Sequence, residues 1–449
     1  MTVFEWIMVG FIAIGVVLLI LKKSIPRSIV LVYVFALVGM SIAQLLLDEW
    51  RIPMLPLYGL GILVIIILMI RPNQERSLKS SVVWILFLLF VIAIPSYLFP
   101  WNQLDKPSGP YQVGTMIEQV DVLDRSEQWS TDDEHRKLMV QFWYPASEVN
   151  GGKRAPYHEH ANVFVDEFFK TNGIPGFLIQ SFAKQSTPIY QDVPIINADN
   201  PFPVVFFSHG FGGNRSQNYY QVSELASHGY IVIGIDHTYY SPGTVFKDGT
   251  IPGALEFHVS ELDEEMVDYL YEWSADAQSV MNWLERIDQS AHEKEELSLL
   301  ATIIQLADLS RVGYIGHSFG GATAVHTLAV DDRFTAGVNM DGFPYGEAHV
   351  FGVDQPFLTL TSDQVLMKNY LDIPEVFDEF LERAVMISGE EKVISLDEAL
   401  HMDFTDMSLL SPLMQWLGIS GTLGAKDQHQ IINQHTLDFL NIYLKEDEM

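Results

Sequence analysis

The 449-residue chain contains no cysteine. That excludes a disulfide framework, a thiolate metal site and a cysteine nucleophile. It is compatible with either side of a membrane, so the redox compartment stays open. Basic residues are scarce: 26 Lys and Arg stand against 57 Asp and Glu, a net charge of −31. A nucleic-acid partner is excluded on that ground, because phosphate binding needs cationic side chains. No ionisable residue lies deep in any of four long apolar runs, at residues 3–21, 29–47, 54–70 and 82–99. Those runs therefore give no sign of a proton or ion path. Mean hydropathy is +0.15, high for so acidic a chain. The two properties are reconciled if an apolar part and an acidic part are separate.

What is there begins with those runs. Each is near the ~17–25 residues that span a bilayer. A cleaved signal peptide needs a basic leader, and residues 1–5 have none. Lys22, Lys23 and Arg27 follow the first run, and Arg71, Arg76 and Lys79 follow the third. Positive charge stays in the cytoplasm, so the N-terminus and everything after residue 99 are expected outside. Trp6, Trp50, Trp84, Tyr97 and Trp101 fall near the run ends, where amphipathic rings prefer to sit. The expectation is a multi-pass plasma-membrane protein: a four-helix anchor over 1–100, embedded in the bilayer, and an extracytoplasmic domain over 101–449. The first hundred residues carry net +3, which leaves −34 for the rest. Charge of that size resists aggregation and holds the domain off anionic lipid.

After a Pro-containing linker, residues 116–122 and 137–143 alternate like the strands of an antiparallel hairpin. Residues 162–185 read as one helix covering the core, or a flap over the site. Pro203–Ser208 is a solid apolar strand, 219–228 a helix, and 230–235 the next strand. Residues 255–286 are long, acidic and helical in character; their carboxylates lack the spacing of a calcium loop and read as a solvated face. Strands follow at 311–315, 336–341, 356–360 and 392–396, with helices at 297–306 and 429–445. Strands alternating with helices imply a mostly parallel sheet covered on both faces.

Gly316-His317-Ser318-Phe319-Gly320 lies between a strand and a helix, the context of a nucleophile elbow. The sharp turn holds the serine hydroxyl above the sheet edge. A serine alkoxide is too costly at neutral pH, so a histidine must take its proton and a carboxylate must orient that histidine. Asp341 ends the next strand, 23 residues after Ser318, and His401 lies in the loop after the last one. Asp354 and Asp363 are fallback acids; His349, His429 and His435 compete with His401. Asp236 and His237 precede the nucleophile, against the usual Ser-Asp-His order, and read as structural or pocket-lining. His209-Gly210-Phe211-Gly212-Gly213 ends an apolar strand and supplies half an oxyanion hole, so the N–H groups of Phe211 and Phe319 are the expected donors. His209, Gly210, His317 and Trp416 are expected to line the substrate pocket, and the apolar stretch 402–425 to form one of its walls. The fold class is an α/β hydrolase, preceded by four transmembrane helices.

Several segments resemble the platelet-activating factor acetylhydrolases: GHSFGGATAVHTL over 316–328, FSHGFG over 207–212, LASHGYIV over 225–232, and Asp332-Arg333-Phe334 followed by Asp341. So do His401 with Phe404 and Asp406, GPYQVG over 109–114 and residues 141–145. The similarity runs from about residue 109 to the end. It implies an α/β hydrolase with Ser318, Asp341 and His401 as triad, Phe211 and Phe319 as donors, and no metal or other cofactor. It also implies hydrolysis of short or oxidised acyl chains of phospholipids. Members of that family are secreted or cytosolic, not held by four spans. The expected function is a membrane-anchored serine esterase. A general carboxylesterase, a dienelactone-hydrolase-like or polyester-degrading enzyme shares that chemistry; an amidase or peptidase uses the same triad. A non-catalytic receptor on a hydrolase fold is the reading of another class.

Overall fold

The computed structural model describes residues 3–20, 26–47, 54–70, 104–130, 134–147, 149, 151–255, 262–291, 297–370 and 374–445, with parts of 83–98. The chain forms two compact units: Met1–Gln103 with Phe177–Phe182 and Leu410–Leu413, and the remainder.

The first unit includes the helices α1 (Val3–Ile20), α2 (Arg27–Leu47) and α3 (Met54–Ile70). Met8, Ile12, Val16, Leu37, Leu57 and Val64 are buried between them. The outer faces are equally apolar; Phe35 is 75% exposed and Leu46 78%. Among the described residues one stretch, Arg27–Gln44, is long and apolar enough to cross a membrane. Trp6–Leu19 and Met54–Met69 are shorter apolar helices. The expected span at 82–99 falls partly outside the described residues. By length and composition, then, one of the four expected spans meets that test among the described residues.

The second unit is built on a ten-stranded sheet. Its strands are β1 (Gln112–Ser126), β2 (His135–Ala146), β3 (Arg154–Pro156), β4 (Ser186–Gln191), β5 (Phe202–Ser208), β6 (Ile231–Asp236), β7 (Ala307–His317), β8 (Phe334–Met340), β9 (Phe357–Thr361) and β10 (Val393–Ser395). Their spatial order is β10-β9-β8-β7-β5-β6-β2-β1-β4-β3. From β6 to β10 the pairing is parallel. β1 and β2 form the expected antiparallel hairpin, and β2 pairs antiparallel to β6. Every residue of β5 and β6 is buried, as continuous apolar runs in a sheet covered on both faces must be.

The covering helices follow their apolar stripes. Ala277, Val280, Met281 and Leu284 bring the long helix Leu262–Ala291 onto the core, together with Ala324, Val325 and Leu328 of the helix Phe319–Val330. Residues 162–185 differ from expectation by forming two helices, Ala161–Asn172 and Gly176–Ala183. The first ends because Gly173 takes a left-handed φ of 68°, the usual helix stop. Pro175 then keeps its predecessor out of the helical region.

The register brings distant residues to one edge. Ser208 pairs with Gly316, His317 with Met340, Met340 with Leu360, and Thr361 with Ser395. The loops that follow β5, β7, β8, β9 and β10 therefore leave the sheet at one level. The chain also reverses its strand order at β5, next to β7, which is where open α/β sheets form a crevice.

Candidate active site

Ser318 sits between β7 and the helix Phe319–Val330 with φ 54° and ψ −122°. A non-glycine residue there is strained, and such strain collects at functional sites. Two glycines make the turn possible. A Cβ on Gly316 would lie 2.1 Å from the carbonyl oxygen of Gly320, and one on Gly320 would lie 2.2 Å from that of Ser208. The Ser318 N–H donates to the Met340 carbonyl at 2.8 Å, which pins the elbow to β8.

Asp341 follows β8 directly and also has a positive φ, 57°. Its Oδ2 accepts from His401 Nδ1 at 2.7 Å and from Ser362 Oγ at 2.6 Å; its Oδ1 accepts from Ser362 N–H at 2.7 Å. Burial alone would raise the carboxyl's pKa. The bonds from His401 and Ser362 outweigh it and hold the group below the ordinary range. With Nδ1–H committed to Asp341, Nε2 is the nitrogen left to exchange a proton. The structure thus joins the expected acid and histidine.

The other candidates lie elsewhere. Asp363 accepts from the N–H groups of Val365, Leu366 and Glu398, so it caps a turn. Asp354 is exposed. His429 is buried and stacks on Tyr220 with ring centroids 3.7 Å apart.

The loop after β5 meets the elbow. A Cβ on Gly210 would lie 3.2 Å from Ser318 Cβ, and the Phe211 and Phe319 rings meet edge-on at 5.3 Å. Phe319 opens its helix, so its N–H has no partner one turn back within that helix. Around the two phenylalanines lie Trp129, Tyr240, Tyr269, Trp273 and Tyr345.

His209 is fully buried, with Nδ1 2.7 Å from the Gly210 carbonyl and its ring against Trp273. Burial and the neighbouring His237 push its pKa down to about 3. Asp236 pairs with Arg215. His237 spans Asp276 (3.0 Å) and Ser208 Oγ (2.8 Å), and Ser208 meets Tyr314 at 2.7 Å. Asp276 in turn pairs with the fully buried Arg136, which also meets Glu127 and Glu272. These residues brace the floor of the loop and do not join the Asp341–His401 pair. Trp416 is 66% exposed; among the described residues no hydrogen bond or ring contact joins it to that pair. No group of three or more His, Asp or Glu side chains among the described residues could hold a metal ion.

Sequence reasoning missed Ser362, Asp276, Arg136 and Gln217. Ser362 carried one signal, its place just past a strand at the edge that holds the acid. The others carried none, because their partners are distant in sequence.

Residues 98–448 match the family described as "Platelet-activating factor acetylhydrolase, isoform II". The platelet-activating factor acetylhydrolase of Cavia porcellus is 26% identical over 84% of this chain and 86% of its own length. A protein of Arthroderma benhamiae described as a probable 1-alkyl-2-acetylglycerophosphocholine esterase is 24% identical over 57% of this chain and 64% of its own. Among solved structures, a ferulic acid esterase from Streptomyces cinnamoneus superimposes with a TM-score of 0.60. It is 24% identical, covering 76% of this chain and 93% of that one.

Proposed function

The chain belongs to the platelet-activating factor acetylhydrolase isoform II family and is an ester hydrolase, and we propose that Ser318, His401 and Asp341 are its catalytic triad. The observation that carries this reading is the 2.7 Å bond from His401 Nδ1 to Asp341, beside a serine in a strained elbow. Ser318 Oγ attacks the ester carbonyl carbon while His401 Nε2 takes its proton. Asp341 holds the ring in the required tautomer and stabilises the cation that forms. The N–H groups of Phe211 and Phe319 donate to the carbonyl oxygen as it gains charge. His401 returns the proton to the leaving alkoxide, so an alcohol departs and an acyl-enzyme remains. Water then attacks with His401 as base, and the carboxylic acid is released.

The substrate proposed is a phospholipid with a short or oxidised acyl chain, after the relatives' names. The enzyme is proposed as a multi-pass membrane protein, with the anchor at 1–100 and the catalytic domain at 101–449 outside. Two features support this: the first unit's helices are apolar on both inner and outer faces, and basic residues flank alternate runs.

The test uses membranes holding the full chain. They should hydrolyse short-chain p-nitrophenyl esters and a short-chain phospholipid, and Ser318 should label with a fluorophosphonate. Ser318→Ala should lower kcat at least about 10⁴-fold; a mutant that keeps its activity sinks the triad. Release of the chain by alkaline carbonate would sink the anchor.

A further inference from the structure

We infer that Gln217 and His317 are positioning residues that tie the oxyanion loop to the backbone of the catalytic histidine. The inference rests on the esterase reading above and deepens it. Three hydrogen bonds make the tie. The Gly210 N–H donates to Gln217 Oε1 at 3.1 Å. Gln217 Nε2 lies 2.9 Å from His317 Nδ1. His317 Nε2 lies 3.1 Å from the carbonyl oxygen of His401.

The two backbone ends decide every orientation between them. A backbone N–H only donates, so the atom facing Gly210 is the amide oxygen. The amide nitrogen then faces His317 and donates, so Nδ1 accepts. His317 is therefore neutral, with its proton on Nε2. The His401 carbonyl only accepts, and that proton is the one it receives. A flip of either side chain breaks at least one bond. Burial, with His401 close by, pushes the His317 pKa down to about 3, so the ring keeps this form at neutral pH.

Neighbouring residues extend the seam. Asn218 Nδ2 and the Tyr220 hydroxyl both donate to the Phe404 carbonyl, at 2.8 and 3.2 Å. The Asp406 N–H donates to the Gln217 carbonyl at 3.0 Å. The His317 ring lies against His401, with centroids 4.6 Å apart. A Cβ on Gly210 would lie 2.9 Å from His317 Nδ1, so the imidazole fills the space beside that loop.

The consequence is geometric. One segment holds Phe211 and the other holds His401. Oxyanion stabilisation and proton transfer must be met in one transition state, so the spacing of the two segments matters to catalysis. Gln217 and His317 need touch no substrate to set that spacing. The two residues are 100 positions apart, and neither is a member of the triad.

The test compares Gln217→Leu, His317→Phe and His317→Gln in the full chain. Each is read by p-nitrophenyl acetate turnover, by the rate of fluorophosphonate labelling and by Tm. Gln217→Leu and His317→Phe should lower kcat roughly 10- to 100-fold, with KM within about twofold and the labelling rate falling in step. His317→Gln keeps an amide N–H near the position of Nε2 and should recover most of the loss. Unchanged kcat in Gln217→Leu overturns the inference. So does an equal loss in all three variants that tracks a fall in Tm, since that marks a merely structural role. Ser318→Ala separates the two levels. If it is inactive while Gln217→Leu is normal, only the inference falls. If it keeps its activity, the esterase reading falls and the inference with it.

Discussion

The two units of this protein keep charge in different places. In the first unit, Met8, Ile12 and Val64 inside and Phe35, Leu46 and Ile62 outside are all apolar. In the bilayer proposed for them, such helices would gain little by hiding apolar surface from lipid, and their association would rest on close packing and a few satisfied polar contacts. The buried Gln44, which accepts from the Tyr58 hydroxyl, is one. In the second unit the order is the familiar one, an apolar interior under a strongly acidic exterior. Yet here charge also goes inside. Arg136 is fully buried among Glu127, Glu272 and Asp276. Burying ions is costly unless each is paired and hydrogen-bonded, and this cluster is, out to His237 and Ser208 beneath the loop after β5. The lesson is that buried charge here serves geometry: it appears beneath a loop that must be held still.

The sharpest way to break this contrast is Asp341→Asn. The carboxamide can no longer hold the His401 ring in its working tautomer, so kcat should fall about 10⁴-fold while the fold survives. A loss below tenfold in steady-state assays would mean that the buried carboxylate does not orient the histidine.

Next in size is Arg136→Met. It removes the cation paired with Glu127 and Glu272 and leaves Asp276 with Arg125 alone, and should cost roughly 3–5 kcal/mol of stability. Phe35→Ala, in the first unit, should change the stability of the detergent-solubilised chain by no more than about 0.5 kcal/mol. Denaturant midpoints of the two variants would measure the difference; comparable shifts would remove the distinction between the units.

The smallest expected effect is a change of slope. Among the described residues no cation pairs with the buried Asp406. Burial pushes its pKa up to about 8, against the bonds it accepts from the N–H groups of Tyr219 and Tyr220 and from the Tyr157 hydroxyl. In the unfolded chain an aspartate titrates near about 3.9. The folded state thus binds the proton more tightly. Its contribution is full below about pH 4 and is lost as pH rises through about 8. Asp406→Asn, permanently neutral, should flatten the decline in Tm between those values. An unaltered slope would show that the helix-start N–H groups keep Asp406 ionised after all.

Much of the second unit could be read in advance because its signals are local. Continuous apolar runs marked β5 and β6, alternation marked β1 and β2, and glycines two residues either side of Ser318 marked the elbow. The break at Gly173 and Pro175 was also visible, though the apolar residues around it read as one helix. Trp416 was expected in a pocket because its neighbours are apolar, but the direction of a side chain depends on what packs around it. In the first unit composition described the helices well, while among the described residues only Arg27–Gln44 has both the length and the apolarity to cross a bilayer.

Sequence by itself pointed to the family, the strand–helix alternation and a short set of candidate residues for serine chemistry, because each of these is carried by short local segments. Tertiary structure alone decided which acid meets which histidine and what holds them. Strand register placed Ser318, Asp341, Ser362 and His401 at one edge. It also joined Gln217 to His317 across 100 residues. A hydrogen bond acts over about 3 Å whatever the separation along the chain, and that distance is set only once the sheet has formed.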